Sequence, residues 1–309
     1  MMPAASPLYH NAAMPKIGID LGGTKIEIVA LDEHHEVLFR RRVATPRDDY
    51  AATLQAVAAL VNEAESALGP GCTVGIGTPG TISRRSGMLK NSNSQWLIGK
   101  PLRHDLEALL GRGIRMANDA NCFALSEAVD GAGQGADVVF GVILGTGVGG
   151  GTVVNGRVIE GANAIAGEWG HNALPWPQTG EWPGPDCYCG RSGCIETFLS
   201  GPGLARDHRE ATGEDLLPEI IAARAAEGDR RCEATLARYE SRLARALAHV
   251  INILDPDVIV LGGGLSNIAR LYENVPKLWG RYVFSDHVET RLAMNRHGDS
   301  SGVRGAAGL

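Results

Sequence analysis

Lys16-Ile-Gly-Ile-Asp-Leu-Gly-Gly-Thr-Lys-Ile-Glu-Ile-Val-Ala-Leu31 reads as strand, glycine turn, strand, with β-branched residues on both sides of Gly22 and Gly23 and one carboxylate, Asp20, just before the turn. Adjacent glycines let the backbone come close to a ligand and aim consecutive N–H groups at it, which suits a phosphate. Thr24 and Lys25 add a hydroxyl and a positive charge. The segment also reads as a plain hairpin whose turn Asp20 caps, so the rest of the chain has to decide. A P-loop is rejected: Gly18 to Lys25 gives G-x-x-x-x-G-T-K, not G-K-[ST], and a strand follows instead of a helix.

A second copy lies further on. Phe140-Gly-Val-Ile-Leu-Gly-Thr-Gly147 parallels Ile17-Gly-Ile-Asp-Leu-Gly-Gly-Thr24, and Asn155-Gly156 supplies a type I′ turn for the strands after it. The chain therefore reads as duplicated, with one glycine turn in each half. Asp20 aligns with Ile143, so only the first turn offers a carboxylate to a phosphate-bound metal ion. Gly145, Gly147 and Gly150 also satisfy G-x-G-x-x-G, but Thr152 to Ile159 reads as a hairpin and not a helix, which removes a dinucleotide fold.

Length and charge agree with that division. At 309 residues the chain exceeds one ordinary core, so two lobes are expected: 15–130 with 295–309, and 131–294. A net charge of -6 with both signs interspersed argues against nucleic acid as the main partner and fits a small-molecule enzyme. No apolar run approaches the roughly 20 residues a membrane helix needs, so no membrane partner is expected. Residues 1–14 read as a disordered extension without signal-peptide character, and Met14 as a candidate start. Three of the six cysteines cluster, which points to a metal in a reducing cytoplasm.

Along the chain, Glu36 to Val43 reads as a third strand, and Tyr50 to Leu68 as a helix stopped at Gly69-Pro70-Gly71. Thr73 to Thr78 is a strand ending in Pro79-Gly80. Lys90 to Gly99, with Asn91, Asn93 and Trp96, reads either as solvent surface or as a loop suited to a polyhydroxylated ligand. Pro101 to Leu110 is a helix. The short strand Ile114 to Ala117 delivers Asn118 and Asp119 at its end, where ligands gather in layered α/β folds. Asp119 reads equally as an N-cap, and a cap carboxylate favoured by the helix dipole would be a weaker base.

Gly167-Glu-Trp-Gly-His171 is followed by Cys187-Tyr-Cys-Gly-Arg-Ser-Gly-Cys194 and then Glu196. His171, Cys187, Cys189 and Cys194 make a full tetrahedral donor set for structural zinc; the bland alternative is three free thiols on a surface loop. A long amphipathic helix through Leu254 stops at Asp255-Pro256. Val258 to Leu261 then runs into Gly262, Gly263 and Gly264, where bare backbone could face a flat adenosine or simply turn. His297 to Ala307 reads as a loop and a small-residue helix that packs closely.

Taken together, Asp20-Leu-Gly-Gly-Thr-Lys25, Asn118-Asp-Ala-Asn-Cys122, Leu144-Gly-Thr-Gly-Val-Gly-Gly-Gly151, Gly167-Glu-Trp-Gly-His171, the cysteine run and Asp255-Pro-Asp-Val-Ile-Val-Leu-Gly-Gly-Gly264 resemble the ROK sugar kinases. Thr45-Pro-Arg-Asp-Asp-Tyr50 and Asn91-Ser-Asn-Ser-Gln-Trp96 look most like bacterial fructokinases or manno(fructo)kinases, and N-acetylglucosamine kinases share the framework. The resemblance implies an α/β, actin-like ATPase (ribonuclease H-like) fold, a cytoplasmic enzyme, ATP with Mg²⁺, and transfer of the γ-phosphate to the 6-hydroxyl of a hexose. It implies Asp119 as general base, with Asn93, Asn118, Glu168, His171 and Glu196 at the sugar. Asp20, Gly22, Gly23, Thr24, Lys25, Gly145, Thr146, Gly147, Gly149 and Gly262 to Gly264 would serve the nucleotide, and a homodimer is implied as well. Fructose is the expected sugar, with mannose as a second substrate; N-acetylglucosamine or glucose is the alternative. A sugar-responsive regulator is the alternative of another class, set aside because little chain precedes Lys16 and because Asp119 favours catalysis.

Overall fold

The computed structural model describes residues 14–309, so the expected extension lies, but for Met14, outside the described residues. The opening hairpin forms as read: β1 (Lys16–Leu21) and β2 (Lys25–Leu31) pair antiparallel, and the Gly22 N–H closes the turn on the Lys25 carbonyl at 3.0 Å. β3 (Val37–Ala44) joins β2 one residue later than expected, and its Arg40 and Arg42 reach the buried carboxylate of Glu27. α1 (Tyr50–Leu68) is capped by Asp49, whose carboxylate accepts from the Ala52 N–H at 2.9 Å. β4 (Thr73–Thr78) returns parallel to β1. A small hairpin, β5 (Thr81–Ile82) and β6 (Leu89–Lys90), leads to α2 (Leu102–Leu110), then β7 (Arg115–Asn118) beside β4 and α3 (Asp119–Val129).

The first sheet therefore runs β3-β2-β1-β4-β7. The second repeats that order with the next strands: β8 (Val138–Leu144) and β9 (Val148–Val154) form the glycine-turn hairpin, and β10 (Arg157–Val158) extends it. Asn155 and Gly156 both hold positive φ, 49° and 71°, as a type I′ turn requires. Four helices follow, α4 (Ile195–Leu199), α5 (Gly201–Thr212), α6 (Pro218–Ala226) and α7 (Arg230–Leu254). β11 (Val258–Gly262) lies parallel to β8, and after α8 (Arg270–Trp279) β12 (Arg291–Met294) completes the order β10-β9-β8-β11-β12. The duplication is thus realised strand for strand.

Each sheet has its own apolar cluster, one centred on Ile17, Ile19, Ile28 and Ile76, the other on Leu144, Leu247, Ile259 and Leu261. α9 (Ser301–Ala307) returns from the second sheet to pack on β1, β4 and α3. Both chain crossings are tied together there. Glu127 on α3 accepts from the Ser301 hydroxyl at 2.8 Å and the Arg296 N–H at 3.0 Å, while Asp130 holds His297 at 3.0 Å.

α9 approaches closely because glycines stand at its tightest backbone contacts. A Cβ on Gly305 would stand 1.6 Å from the Cys122 carbonyl oxygen, and one on Gly75 would stand 1.9 Å from that of Ala306. Gly305→Ala is therefore expected to destabilise the fold by about 1–3 kcal/mol or more, because backbone on both sides must shift. A denaturant midpoint equal to that of the parent would show that α9 does not pack this tightly.

Candidate active site

β1, β4 and β7 run side by side in one direction, so Asp20 near the end of β1 and Asp119 just past β7 emerge at one edge of the sheet. Asn118 caps α3, its Oδ1 accepting from the Ala120 N–H at 2.9 Å. That corrects the reading of Asp119 as the cap: Asp119 is the first helical residue, although its own Oδ1 shares the Ala120 N–H at 2.9 Å. Asp20 and Asp119 line one cavity of about 230 Å³ together with Ile143, Gly263, Gly264, Asn267, Asn295 and Asp299.

Burial dominates the charge of both carboxyls. Asp119 is pushed up to about 6, chiefly by desolvation and then by Glu168, against the lowering effect of the Ala120 N–H. Asp20 also rises to about 6, through desolvation and the nearby Asp119 and Glu27, with Lys25 and Arg42 opposing. The weak base expected at a helix start is thus not what forms, because the cost of removing the carboxylate from water outweighs the dipole. A half-buried carboxylate such as Asp20, opening onto this cavity beside Asp119 and Asp299, fits a divalent cation in chemistry as well as in place.

A larger cavity of about 740 Å³ adjoins this one, sharing Gly264 and Asn267. Its walls include Gly145, Thr146, Gly201, Pro202, Leu217, Ala222 and Ile268, a mostly apolar slot able to take a flat heterocycle. Of the glycines expected at a nucleotide, Gly145, Gly263 and Gly264 face the two cavities. Gly262 does not: it is buried, and a Cβ there would meet the Phe123 ring at 2.5 Å. Gly149 lies in β9 against Ala120, and Gly147 backs onto Glu196. Gly22, Gly23, Thr24 and Lys25 border the acidic end without lining either cavity.

On the other side of Asp119 the expected sugar residues group together. Glu168 is raised by burial first, with His171 lowering and Glu196 raising it, so these three share one neighbourhood. The Asn118 amide donates to the Gly80 carbonyl at 3.2 Å, while Asn93 is exposed on its loop. Glu196 has a part that its sequence position gave no hint of: its Oε2 accepts from the Val148 N–H at 2.8 Å and so braces the second glycine turn. Next to it, the ligand atoms of His171, Cys187, Cys189 and Cys194 all lie within 4.8 Å of one another. His171 Nδ1 faces the Cys187 sulfur at 3.6 Å, and its Nε2 meets the Tyr188 hydroxyl at 3.0 Å. Three thiols and an imidazole closing on one point suit a tetrahedral Zn²⁺.

Two features could not be read from the sequence. Asp299 and Asn295 come from the tail to the acidic cavity, and Glu181 is buried against Arg242 at 2.8 Å and Arg245 at 2.8 Å. Burial raises the Glu181 carboxyl, but the two guanidiniums and the Gln178 N–H prevail and hold it at about 2. This pair fastens the loop between His171 and Cys187 to α7.

The family model described as the ROK family matches residues 16–309. N-acetyl-D-glucosamine kinase from Photobacterium profundum is 44% identical over 296 residues, covering 94% of this chain and 98% of the relative. The enzyme of that name from Vibrio cholerae is 43% identical over the same span, again 94% and 98%. Among solved structures, a ROK hexokinase from Thermus thermophilus superposes with a TM-score of 0.84 at 32% identity, covering 95% of this chain and 97% of that one. A ROK family glucokinase from Streptomyces griseus, in complex with glucose and AMPPNP, gives 0.74 at 28% identity, with 95% and 98% covered.

Proposed function

The chain belongs to the ROK family, with the actin-like ATPase fold of its sugar kinases, and from that premise we propose that it is an ATP-dependent kinase acting on N-acetylglucosamine. The observation that carries this is the identity of 43–44% across nearly the full chain with enzymes of that name, and Asp119 lining a cavity with Asp20, Gly263 and Gly264 is compatible with it. Fructose, the sugar suggested by the loop resemblance, gives way to N-acetylglucosamine, because the relatives that are 43–44% identical over nearly the whole chain bear that name, and discrimination between hexoses rests on a few contacts worth about 1–3 kcal/mol each.

In this reading Asp119 accepts the proton of the 6-hydroxyl as that oxygen attacks the γ-phosphorus, and Glu168, His171 and Asn118 orient the ring. Gly263 and Gly264 admit the phosphates, and the apolar slot holds the base. Asp20 would hold Mg²⁺, which when bound offsets charge on the phosphate oxygens. Zinc in the His171, Cys187, Cys189 and Cys194 set would fix the loop that carries Glu168 and Glu196. Closure of 15–130 with 295–309 against 131–294 would exclude water.

Coupled ADP release across N-acetylglucosamine, glucose, mannose and fructose tests the assignment: N-acetylglucosamine is expected to lead on kcat/KM, and a clear lead for fructose would overturn it. The pH profile offers a second check. Asp119 acts in its ionised form, so kcat/KM is expected to fall about tenfold per pH unit below about 6 and to level off above 7. A limb near 4 instead would mean that the base is not this buried carboxyl.

A further inference from the structure

The two halves of the chain touch across the cleft at a place that none of the expected site residues occupies. The hairpin of β5 and β6 belongs to the first half, and the loop 160–167, which leads straight into Glu168, belongs to the second. Lys90, the last residue of β6 and half-buried, donates from Nζ to the Asn163 carbonyl at 3.2 Å. We propose that Lys90 is a positioning residue for the sugar: it clasps this loop from across the cleft and so fixes the place of Glu168. The proposal rests on the sugar-kinase reading, in which Glu168 meets the sugar.

The loop gains from an outside hold. Its end is seated on β9, since a Cβ on Gly167 would stand 2.4 Å from the Gly150 carbonyl oxygen. Before that point Gly161, Ala162, Asn163 and Ile165 are exposed, and Ala164 holds a φ of 53°, a left-handed conformation that alanine rarely keeps unaided. The contact from Lys90 falls on the residue next to it. Lys90 is itself anchored: a Cβ on Gly80 would stand 2.4 Å from the Lys90 carbonyl oxygen, and the Gly80 carbonyl accepts from the Asn118 amide at 3.2 Å. Contacts therefore run from the end of β7, beside Asp119, through the hairpin to the loop that carries Glu168. The ammonium also acts on that carboxyl, which burial raises most, with His171 lowering it, Glu196 raising it and Lys90 lowering it. A second contact across the cleft, Arg84 with Glu160 at 3.2 Å, joins two exposed side chains and is screened by solvent, so it contributes little.

Steady-state kinetics on the full chain tests the clasp, with ATP and whichever of N-acetylglucosamine, glucose, mannose and fructose the parent uses best. Lys90→Met keeps the stem and removes the charge and the donor. It is expected to raise the sugar KM about 10-fold, the scale of one charged hydrogen bond, and to leave kcat and the ATP KM within about threefold, as a loss of ground-state binding does. Asn163→Ala leaves the backbone carbonyl in place and should match the parent. Should Lys90→Met fail to fold, Lys90→Ala is measured in its place. A sugar KM unchanged in the Lys90 variant, or raised as far by Asn163→Ala, overturns the clasp and leaves the functional reading standing. Losses of equal size in kcat and in ATP binding would mark a general structural role and overturn it too. A parent that turns over none of these hexoses with ATP defeats the functional reading itself.

Discussion

Asp119→Asn is expected to lower kcat by at least about 10²-fold while leaving ATP affinity within a few-fold of the parent. The amide keeps the shape and the hydrogen bond from the Ala120 N–H but cannot take a proton, and the nucleotide slot is built from other residues. The same change should make the fold more stable near neutral pH. A carboxyl held at about 6 in the folded protein and near 3.8 when unfolded binds its proton more tightly in the native state. Its favourable contribution is complete below about 3.8 and is lost as pH rises through about 6, so at pH 7.5 the ionised group costs on the order of 1–3 kcal/mol. Asparagine carries no such charge. Thermal unfolding at pH 7.5 should therefore rise in the variant, and the difference should vanish in acid. Near-normal turnover would remove Asp119 as the base, and an unchanged melting temperature would show that its carboxylate is better solvated than its burial implies.

Stripping the Cys187, Cys189, Cys194 and His171 set, by chelation or by Cys194→Ser, is expected to release one equivalent of zinc and raise the sugar KM about 10- to 100-fold. Cys194 immediately precedes α4, so its loss moves Glu196 directly. Because Glu196 also holds the Val148 N–H, nucleotide affinity should weaken after sugar affinity rather than remain intact. The rest of that half should stay folded, since Glu181 fastens the intervening loop to Arg242 and Arg245 independently of the cysteines. Active protein shown by elemental analysis to hold no zinc would end this account.

What the sequence disclosed and what it withheld divide along a physical line. The two glycine-turn hairpins, the strand ending at Asn118 and the cysteine run are local patterns, set by side-chain alternation and turn chemistry, and they were legible as such. Boundaries moved by a residue, as at β3 and β7, where pairing with a neighbour decides the end. The cap went to Asn118 and not Asp119 because one step of backbone geometry separates the two, and periodicity does not resolve one step. Gly262 faces Phe123, and Lys90, Glu181 and Asp299 find their surroundings only when distant segments meet. No spacing within one segment encodes such neighbours. The elevated proton affinity of Asp119 belongs to the same group, since it comes from the walls around the carboxyl. Fructose was suggested by loop motifs, whereas the relatives 43–44% identical over nearly the whole chain are N-acetyl-D-glucosamine kinases.

The close seat of α9 bears on how this protein emerges from the ribosome. β1, β4 and α3 are synthesised early, yet the bare backbone at Gly18, Gly75 and the Cys122 carbonyl finds its cover only in residues 301–307. Until that short segment has left the exit tunnel, the first half cannot finish folding on its own, however long translation lasts. Its exposed seam must be shielded meanwhile, and chains truncated before position 301 should be markedly more sensitive to protease and more dependent on chaperones than the released chain that carries residues 301–307.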